Sequence, residues 1–238
     1  MGIRWIYGRQ DWKTLERGQE NCYLMTNGLG GFSSLTLTGS AARNDHAFLM
    51  ACTQAPNNRY NIIHRLSEML EMKSDGDIRD YRLSSREFAD GTQEEGYRYL
   101  TEFSYEDTPV WRYLVNGVEI EKEAAVRQNE NTISVCYRVK NRSRCEACLS
   151  VTPFYQFCPK GEEPAVDCRI SYLSKKDGRM SCVESAGMKL YCMTDGCNEK
   201  MPETEEKYSA IYSPEGKGTE EAGNTGKLAE TVIEELKE

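Results

Sequence analysis

Alternation of apolar and polar residues with a period of two constrains the fold of this chain more than any other feature. The pattern is clearest at Ile133–Val139 and Ala147–Val151, and it also runs through Tyr97–Glu102. Successive side chains of a strand point to opposite faces, so a period of two predicts half-buried strands. The middle of the chain is therefore expected to be built from strands rather than helices.

Two hairpins are predicted within this pattern. Asn116-Gly117 separates the strand-like runs Trp111–Val115 and Val118–Glu123. An Asn-Gly pair in this setting favours a type I′ turn, which needs positive φ at both central residues. Asp177-Gly178 predicts a second hairpin between Ile170–Leu173 and Met180–Val183. Met188–Tyr191 follows as another strand.

The N-terminal half gives weaker signals. Leu35–Thr38 alternates like a half-buried strand, Ala47–Ala51 reads as a buried strand, and a short strand is expected around Tyr81–Leu83. Ile62–Met72 fits helical spacing as well as a strand, and the two alternatives stay open. Short strands separated by turns predict an all-β fold, a large antiparallel β-sandwich with few short helices, over residues 1–200.

Residues 201–238 differ in composition from the rest of the chain. Residues 199–238 hold 11 acidic residues against 5 lysines, out of a net charge of −8 for the whole chain. Glycines are frequent at 216–226, and Leu228, Val232, Ile233 and Leu236 mark one face of a short helix. The prediction is an acidic linker or tail that ends in a short C-terminal helix.

Composition and charge exclude several classes of function. The chain is acidic and has no basic cluster, which argues against nucleic acid and against an anionic membrane surface as partners. It has neither a signal-peptide run nor a stretch of membrane-spanning length, so we expect a cytoplasmic protein. Its ten cysteines are expected to be reduced thiols rather than a disulfide framework.

The first candidate site is the glycine-rich segment Asn27-Gly28-Leu29-Gly30-Gly31. A phosphate-binding turn would need a helix after it, whereas the residues after Gly31 read as strand. A tight turn that requires positive φ is the favoured interpretation. The alternative is a turn that brings backbone close to a ligand or a partner domain, with Asn27, Gly28, Gly30 and Gly31 as contacts.

The second candidate site is Arg43 with His46. His46 and His64 are the only histidines, so a multi-histidine metal site within one chain is not expected. A structural, hydrogen-bonded histidine is the favoured interpretation, and a polar cluster that contacts sugar hydroxyls or a neighbouring domain is the functional alternative.

Metal and catalytic chemistry have weaker support. Cys145, Cys148, Cys192 and Cys197 could form a four-thiolate zinc site, but Cys145 and Cys148 would point to opposite faces of a strand. No nucleophile motif occurs, and 38 acidic residues single out no catalytic pair. The prediction is no catalytic residue, no metal and no cofactor. Trp5, Trp12 and Trp111 could stack on sugars, although core packing is favoured for each.

The segment Tyr23–Ala51 resembles the N-terminal domain of bacterial and archaeal glycogen debranching enzymes. The family pattern W-L-x-T-N-G-L-G-G-(Y/F)-(A/S)-S matches at Thr26–Ser34. Its second block, G-x-x-T-R-(R/K)-Y-H-G-L-L-V-A, matches at Gly39, Arg43, His46 and Leu49, and departs at Asn44, Asp45 and Ala47.

Later segments continue the resemblance. Tyr97–Phe103, Asn131–Tyr137 and Leu149–Pro153 are similar to later strands of the family, whereas the Arg-Asp pair expected after that proline is replaced by Phe157-Cys158-Pro159. The likeness is good over residues 15–160.

The resemblance implies a large β-sandwich of the galactose-mutarotase-like, supersandwich kind. In the family this domain precedes an (α/α)6 barrel that carries amylo-α-1,6-glucosidase activity and the catalytic acids. The implied role is non-catalytic, with the helical catalytic domain, in cis or in trans, and an α-glucan or malto-oligosaccharide as partners. The alternatives are a stand-alone carbohydrate-binding module and a zinc- or redox-active cysteine protein.

Overall fold

The computed structural model describes residues 3–74, 76–88, 91–162, 171–174, 180–194, 198–200, 205–210, 222–227 and 230–234. Side chains are described within these ranges up to residue 162 and at 182–194. Within these residues, strands dominate and helices are confined to one short α-helix, α1 (Leu15–Gly18), and two 3-10 turns at Arg9–Trp12 and Gly96–Arg98. The predicted all-β class is confirmed.

Thirteen strands of the described residues precede residue 160. They are β1 (Trp5–Gly8), β2 (Met25–Thr26), β3 (Phe32–Ser34), β4 (Ala47–Gln54), β5 (Asn58–Ser74), β6 (Asp77–Arg82), β7 (Ser85–Glu87), β8 (Gln93–Glu95), β9 (Leu100–Tyr105), β10 (Pro109–Val115), β11 (Val118–Val126), β12 (Ile133–Asn141) and β13 (Glu146–Pro159). Eleven of them belong to the two main sheets, whereas β7 and β8 pair with each other in a separate two-stranded sheet.

Seven further strands follow in the C-terminal third of the chain. They are β14 (Ser171–Ser174), β15 (Met180–Ser185), β16 (Met188–Met193), β17 (Asn198–Lys200), β18 (Glu205–Ala210), β19 (Ala222–Lys227) and β20 (Glu230–Glu234). β14, β15 and β16 form a three-stranded sheet, and β17 and β20 join the larger main sheet.

The smaller main sheet has the strand order β1-β9-β10-β11-β12. The predicted first hairpin is confirmed: Val115 pairs with Val118, and Asn116 and Gly117 have φ of 45° and 89°. Both angles are positive, as a type I′ turn requires. For the second hairpin, β14 and β15 pair antiparallel as predicted, while Asp177 and Gly178 lie outside the described residues.

The larger sheet has the order β17-β20-β13-β5-β4-β3-β2, with β6 on β5. Its centre is β5, a strand of 17 residues. Of the two alternatives for Ile62–Met72, helix and strand, the structure therefore shows the strand. β5 pairs with β13 along most of its length, whereas its other edge pairs with β4 up to Ile63 and with β6 from Met69 onward. The edge of β5 between those two positions has neither β4 nor β6 beside it.

The two main sheets share one hydrophobic core, which makes the fold a sandwich. Trp111, Phe103 and Ile120 of the smaller sheet are almost fully buried in the same cluster as Phe48 and Leu70 of the larger sheet. The indole Nε1 of Trp111 also donates a hydrogen bond to the carbonyl of Leu37 at 2.9 Å, which ties β10 to the segment after β3. Burial of such large aromatic side chains is a main source of stability for a domain of this size.

Two strand predictions are shifted along the chain. The strand expected at Leu35–Thr38 lies earlier, at β3, because the hydroxyl of Thr36 accepts a hydrogen bond from the Ser40 amide at 2.9 Å and bends the chain into a turn. The strand expected from Tyr97 begins at Leu100, since Gly96–Arg98 forms a 3-10 turn.

The C-terminal segment also differs from its prediction. The expected helix is wrong for Glu230–Glu234, which the structure shows as strand β20, paired with Leu149 and its neighbours on β13. Three consecutive β-branched residues, Thr231, Val232 and Ile233, favour strand over helix. The domain boundary near residue 200 stays a prediction.

No helix among the described residues is both long enough and apolar enough to cross a membrane.

Candidate functional site

Asn27 organises the glycine-rich turn from within. Its side chain is buried, and its Oδ1 accepts hydrogen bonds from the amides of Leu29 and Gly31, each at 2.9 Å. The Asn27 amide donates to the Gly31 carbonyl at 3.1 Å, which closes the turn. These amides are therefore used inside the turn, and the segment that follows is β3 rather than a helix, so the geometry is that of a tight turn and not of a phosphate cradle.

The glycines of the turn are required by space as well as by φ. Gly28 and Gly30 have φ of 78° and 98°. A Cβ on Gly30 would overlap the carbonyl oxygen of Pro56, in the loop between β4 and β5. A Cβ on Gly31 would lie 2.6 Å from the side-chain Nδ2 of Asn27 and 2.9 Å from the carbonyl oxygen of Met50. The turn is thus packed directly against neighbouring backbone.

The same turn joins the two sheets. Asn27 Nδ2 donates to the Glu130 carbonyl at 3.0 Å and to Asn131 Oδ1 at 3.1 Å, in the loop between β11 and β12. The Asn129 amide donates to the Asn27 carbonyl at 2.7 Å. Asn131 Oδ1 also accepts a hydrogen bond from the Cys52 amide at 2.9 Å, and Asn131 Nδ2 donates one to the Cys52 carbonyl at 2.8 Å. The polar groups of Asn27 are therefore matched within the domain.

His46 is buried at the start of β4. Its Nδ1 accepts a hydrogen bond from the Ala42 amide at 3.2 Å, and its own amide donates to the Arg43 carbonyl at 3.0 Å. Burial lowers the pKa of His46 to about 4, so the imidazole is neutral at physiological pH. Arg43 is half-buried, and the exposed Asp45 lies 3.8 Å from Lys160.

The predicted site residues form two groups rather than one. Phe32 pairs with Met50 and Ser34 pairs with Ala47, so Gly31 and His46 lie towards opposite ends of the β3–β4 ladder. The structure instead brings His46 close to the other histidine. Asn61 donates to the His46 carbonyl at 3.3 Å and to His64 Nδ1 at 3.1 Å, and burial lowers the pKa of His64 to about 3.

A cavity beside His64 was not anticipated from the sequence. It occupies the unpaired edge of β5 between β4 and β6, and its volume is about 20 Å³. We call it the β5 gap cavity. Its lining comes from Gln19, Gly39, Ser40, Ala41, His64, Arg65, Leu66, Ser84, Ser85, Arg86 and Glu87. No local pattern marks these residues, because they come from four separate segments.

Among the described residues, the two buried carboxylates, Glu68 and Glu94, each contact a cation. Glu68 of β5 lies between the sheets, where its Oε1 accepts from Lys122 Nζ at 2.5 Å and from the Tyr137 hydroxyl at 2.6 Å. Glu94 Oε1 accepts from Arg82 at 3.1 Å, and burial raises the pKa of Glu94. These contacts assign Glu68 to the structure of the domain, whereas for Glu94 they account for Oε1 only, since the buried Oε2 has no hydrogen-bond partner among the described residues.

The described cysteines differ in exposure: Cys52, Cys158 and Cys182 are buried, Cys22 and Cys136 are exposed, and Cys145, Cys148 and Cys192 are intermediate. Among the described cysteines there is no disulfide, and no three metal-ligating side chains of the described residues cluster; Cys168 and Cys197 lie outside them. Trp12 and Trp111 are buried in the core, whereas Trp5 is 56% exposed. Trp5 lines a groove of about 260 Å³ with Tyr7, Leu24 and Tyr105.

Fold and site together define an all-β sandwich domain whose glycine-rich turn locks one sheet to the other. The chain matches the family model described as "Glycogen debranching enzyme N terminal" over residues 21–222, and it belongs to that family. The resemblance drawn from Tyr23–Ala51 is thereby confirmed. No curated protein matches the chain.

Proposed function

We propose that this chain is the non-catalytic N-terminal sandwich of a glycogen debranching enzyme. In this role it packs against a helical (α/α)6 catalytic domain, in cis or in trans, and shapes the cleft in which an α-glucan is hydrolysed at its α-1,6 branches. The family match over residues 21–222 carries the proposal. The cytoplasm is the proposed location.

The environment of the buried carboxylates supports a non-catalytic role. Glycosidases use two carboxyl groups that face each other across the scissile bond. Glu68 is enclosed between the sheets with Lys122 and Tyr137, and Glu94 is paired with Arg82. Neither group is placed to act on a polysaccharide.

The proposed contact residues divide into supporting and contacting positions. Asn27, Gly31 and His46 are buried, so they hold the backbone in place. Gly28 is exposed, while Gly30 and Arg43 are half-buried. We assign contact with the catalytic domain or the glucan to Gly28 and Arg43, and close packing against Pro56 to Gly30.

The test is an assay of glucose release from a glycogen limit dextrin. The purified chain alone is expected to release none, whereas adding it to a separately expressed helical domain of this family should raise that domain's activity. Arg43→Ala should weaken this stimulation, and Arg79→Ala, at an exposed arginine on β6, should leave it intact. Glucose release by the chain alone would refute the non-catalytic role.

A stand-alone carbohydrate-binding module is the second candidate, and the groove at Trp5 favours it. An exposed indole beside Tyr7 and Tyr105 offers flat rings for stacking on a sugar. The Tyr105 hydroxyl donates to the Leu24 carbonyl at 3.0 Å, which fixes one wall of the groove.

Calorimetric titration with malto-oligosaccharides separates this candidate from the first. A binding module should release heat that Trp5→Ala abolishes and that Tyr191→Ala, at a tyrosine 63% exposed outside the groove, retains. Absence of heat at high sugar concentration would leave the domain-packing role.

A further inference from the structure

The β5 gap cavity is lined by buried hydrogen-bond donors that have no acceptor among the residues that the structure describes. Arg65 is 6% exposed, and its Nε and Nη1 are buried with no hydrogen-bond partner among the residues that the structure describes. Its guanidinium stacks on Phe154, with Cζ 3.7 Å from the ring centroid. Stacking engages the face of the guanidinium but leaves its N–H groups, which point from the edge, in need of acceptors.

A second donor comes from a different strand. Ser85 of β7 is 2% exposed, and its Oγ also has no hydrogen-bond partner in the described part of the chain. The Ser85 carbonyl accepts a hydrogen bond from Ser40 Oγ, which holds β7 beside the cavity. Leaving buried donors unsatisfied is unfavourable, so two such residues lining one cavity indicate that something else occupies it.

The charge of the lining indicates an anion rather than water alone. Arg65 and Arg86, each 6% exposed, contribute two positive charges, and Glu87 contributes one negative charge. The carboxylate of Glu94 lies outside the lining, where it accepts a hydrogen bond from Arg82 and is also close enough to Arg86 for the positive charge of Arg86 to lower its pKa against the effect of burial. Burial and, next, the positive charge of Arg86 lower the pKa of His64 to about 3, so the imidazole adds no charge at neutral pH.

The size of the cavity restricts the ligand. A volume of about 20 Å³ accommodates one water-sized species. A halide ion is of this size, whereas phosphate, sulfate and carboxylate ligands are larger. We propose that the β5 gap cavity binds a single halide ion, chloride under cellular conditions, with Arg65 and Ser85 as its hydrogen-bond donors.

Such an ion has a structural consequence. It lies where β5 has neither β4 nor β6 beside it, and it links Arg65 of β5 to Ser85 of β7. Bound chloride should therefore stabilise the folded chain by mass action.

Thermal unfolding of the full chain in sodium chloride and in sodium gluconate, at matched ionic strength, tests the proposal. Chloride and bromide should raise the melting temperature in a saturable manner, whereas gluconate is too large to enter. Arg65→Gln should abolish the chloride-specific increment. Arg79→Gln is the matched control, because Arg79 is an exposed arginine paired with Asp77 on β6, and it should retain the increment.

A second variant covers the case in which Arg65→Gln fails to fold. Ser85→Ala removes a hydroxyl that makes no hydrogen bond among the described residues, and it should raise the chloride concentration for half-maximal stabilisation by about tenfold. Bromide anomalous scattering from a crystal should give a peak between Arg65 and Ser85. Equal stabilisation by chloride and gluconate, an unchanged increment in Ser85→Ala, or a bromide peak without a solution effect (an adventitious ion only) would overturn the proposal.

Discussion

β5 carries two buried charged side chains three residues apart, and their surroundings differ. Glu68 is 5% exposed and is bonded by Lys122 and Tyr137 from two strands of the opposite sheet. Arg65 is 6% exposed, stacks on Phe154, and has two nitrogen atoms, Nε and Nη1, without acceptors among the described residues. Because residues three apart on a strand face opposite sides, the two charges belong to different surroundings.

This difference in hydrogen bonding distinguishes Glu68, which has a structural role, from Arg65, which indicates a ligand. The position of Glu68 is explained by groups of the chain itself, since its cation and its hydrogen-bond donor are supplied by β11 and β12. The described residues supply no acceptor for Nε and Nη1 of Arg65, and the proposed halide ion would supply one. Burial of a charge by itself therefore does not indicate a ligand, whereas two neighbouring residues that line one cavity and lack hydrogen-bond partners among the described residues do.

The largest change in the free energy of unfolding is expected when Lys122, the cation paired with Glu68, is removed. Lys122→Met leaves Glu68 buried between the sheets without a cation, and we expect a loss of about 3–5 kcal/mol in the free energy of unfolding. Urea denaturation at pH 7 measures it. The double variant Lys122→Met/Glu68→Met removes both charges and should recover much of that loss. A single variant as stable as the parent would show that the pair is not a structural element.

Like Glu68, the buried Asn27 of the glycine-rich turn forms its hydrogen bonds within the chain. A pair of glycine variants tests how closely the turn is packed against neighbouring backbone. Gly30→Ala combines positive φ with overlap on the Pro56 carbonyl, so a loss of about 3 kcal/mol is expected. Gly39→Ala is the matched control: its φ is 78°, but nothing lies within 4 Å of the added Cβ. Its loss should be about 1 kcal/mol. Equal losses in urea denaturation would contradict the close approach to Pro56.

The two histidines near the cavity predict how stability depends on pH. The folded-state pKa values, about 4 for His46 and about 3 for His64, lie below the ordinary value of 6.5. The unfolded chain therefore binds protons first, so the stabilisation is present above pH 6.5 and is lost as the pH falls towards 4 and 3. Between pH 7 and pH 5 each histidine should cost about 2 kcal/mol.

A variant of His64 measures how much of this pH dependence comes from that histidine. His64→Gln should reduce the pH dependence between pH 7 and pH 5 by about half, as measured by urea midpoints at both values. A pH dependence unchanged in His64→Gln would show that this histidine is not held neutral by burial and by the charge of Arg86.

The smallest change in the free energy of unfolding is expected at Arg65. Arg65→Met keeps an unbranched side chain beside Phe154 and removes the charge, so in chloride-free buffer the change in unfolding free energy should be within about 1 kcal/mol. A loss as large as that of Lys122→Met would mean that the chain itself compensates the charge of Arg65, and the contrast between the two sites would disappear.

Local chemistry explains which parts of the fold were predictable. The Asn116-Gly117 hairpin follows from the φ requirement of its turn, and β12 follows from its alternation, since both signals lie within a few residues. Ile62–Met72 was ambiguous because Ile62–Leu66 is buried on both faces, which removes the alternation in that part of β5, whereas burial alternates again over residues 67–72. The displaced strand near Leu35 resulted from hydroxyl hydrogen bonds at Thr36 that no periodicity reveals.

The sequence by itself determined the all-β class, the first hairpin, the family and the glycine-rich turn, because these depend on neighbouring residues or on a contiguous motif. Tertiary structure alone decided that Asn27 is an internal anchor, that Glu68 is paired with Lys122, and that Arg65 and Ser85 line one cavity. These groups are distant in sequence and come together only when strands pair and sheets stack. Only this packing decides whether a buried polar atom has a hydrogen-bond partner. Glu68 has its partners within the chain, whereas Arg65 lacks acceptors among the described residues and therefore indicates a ligand.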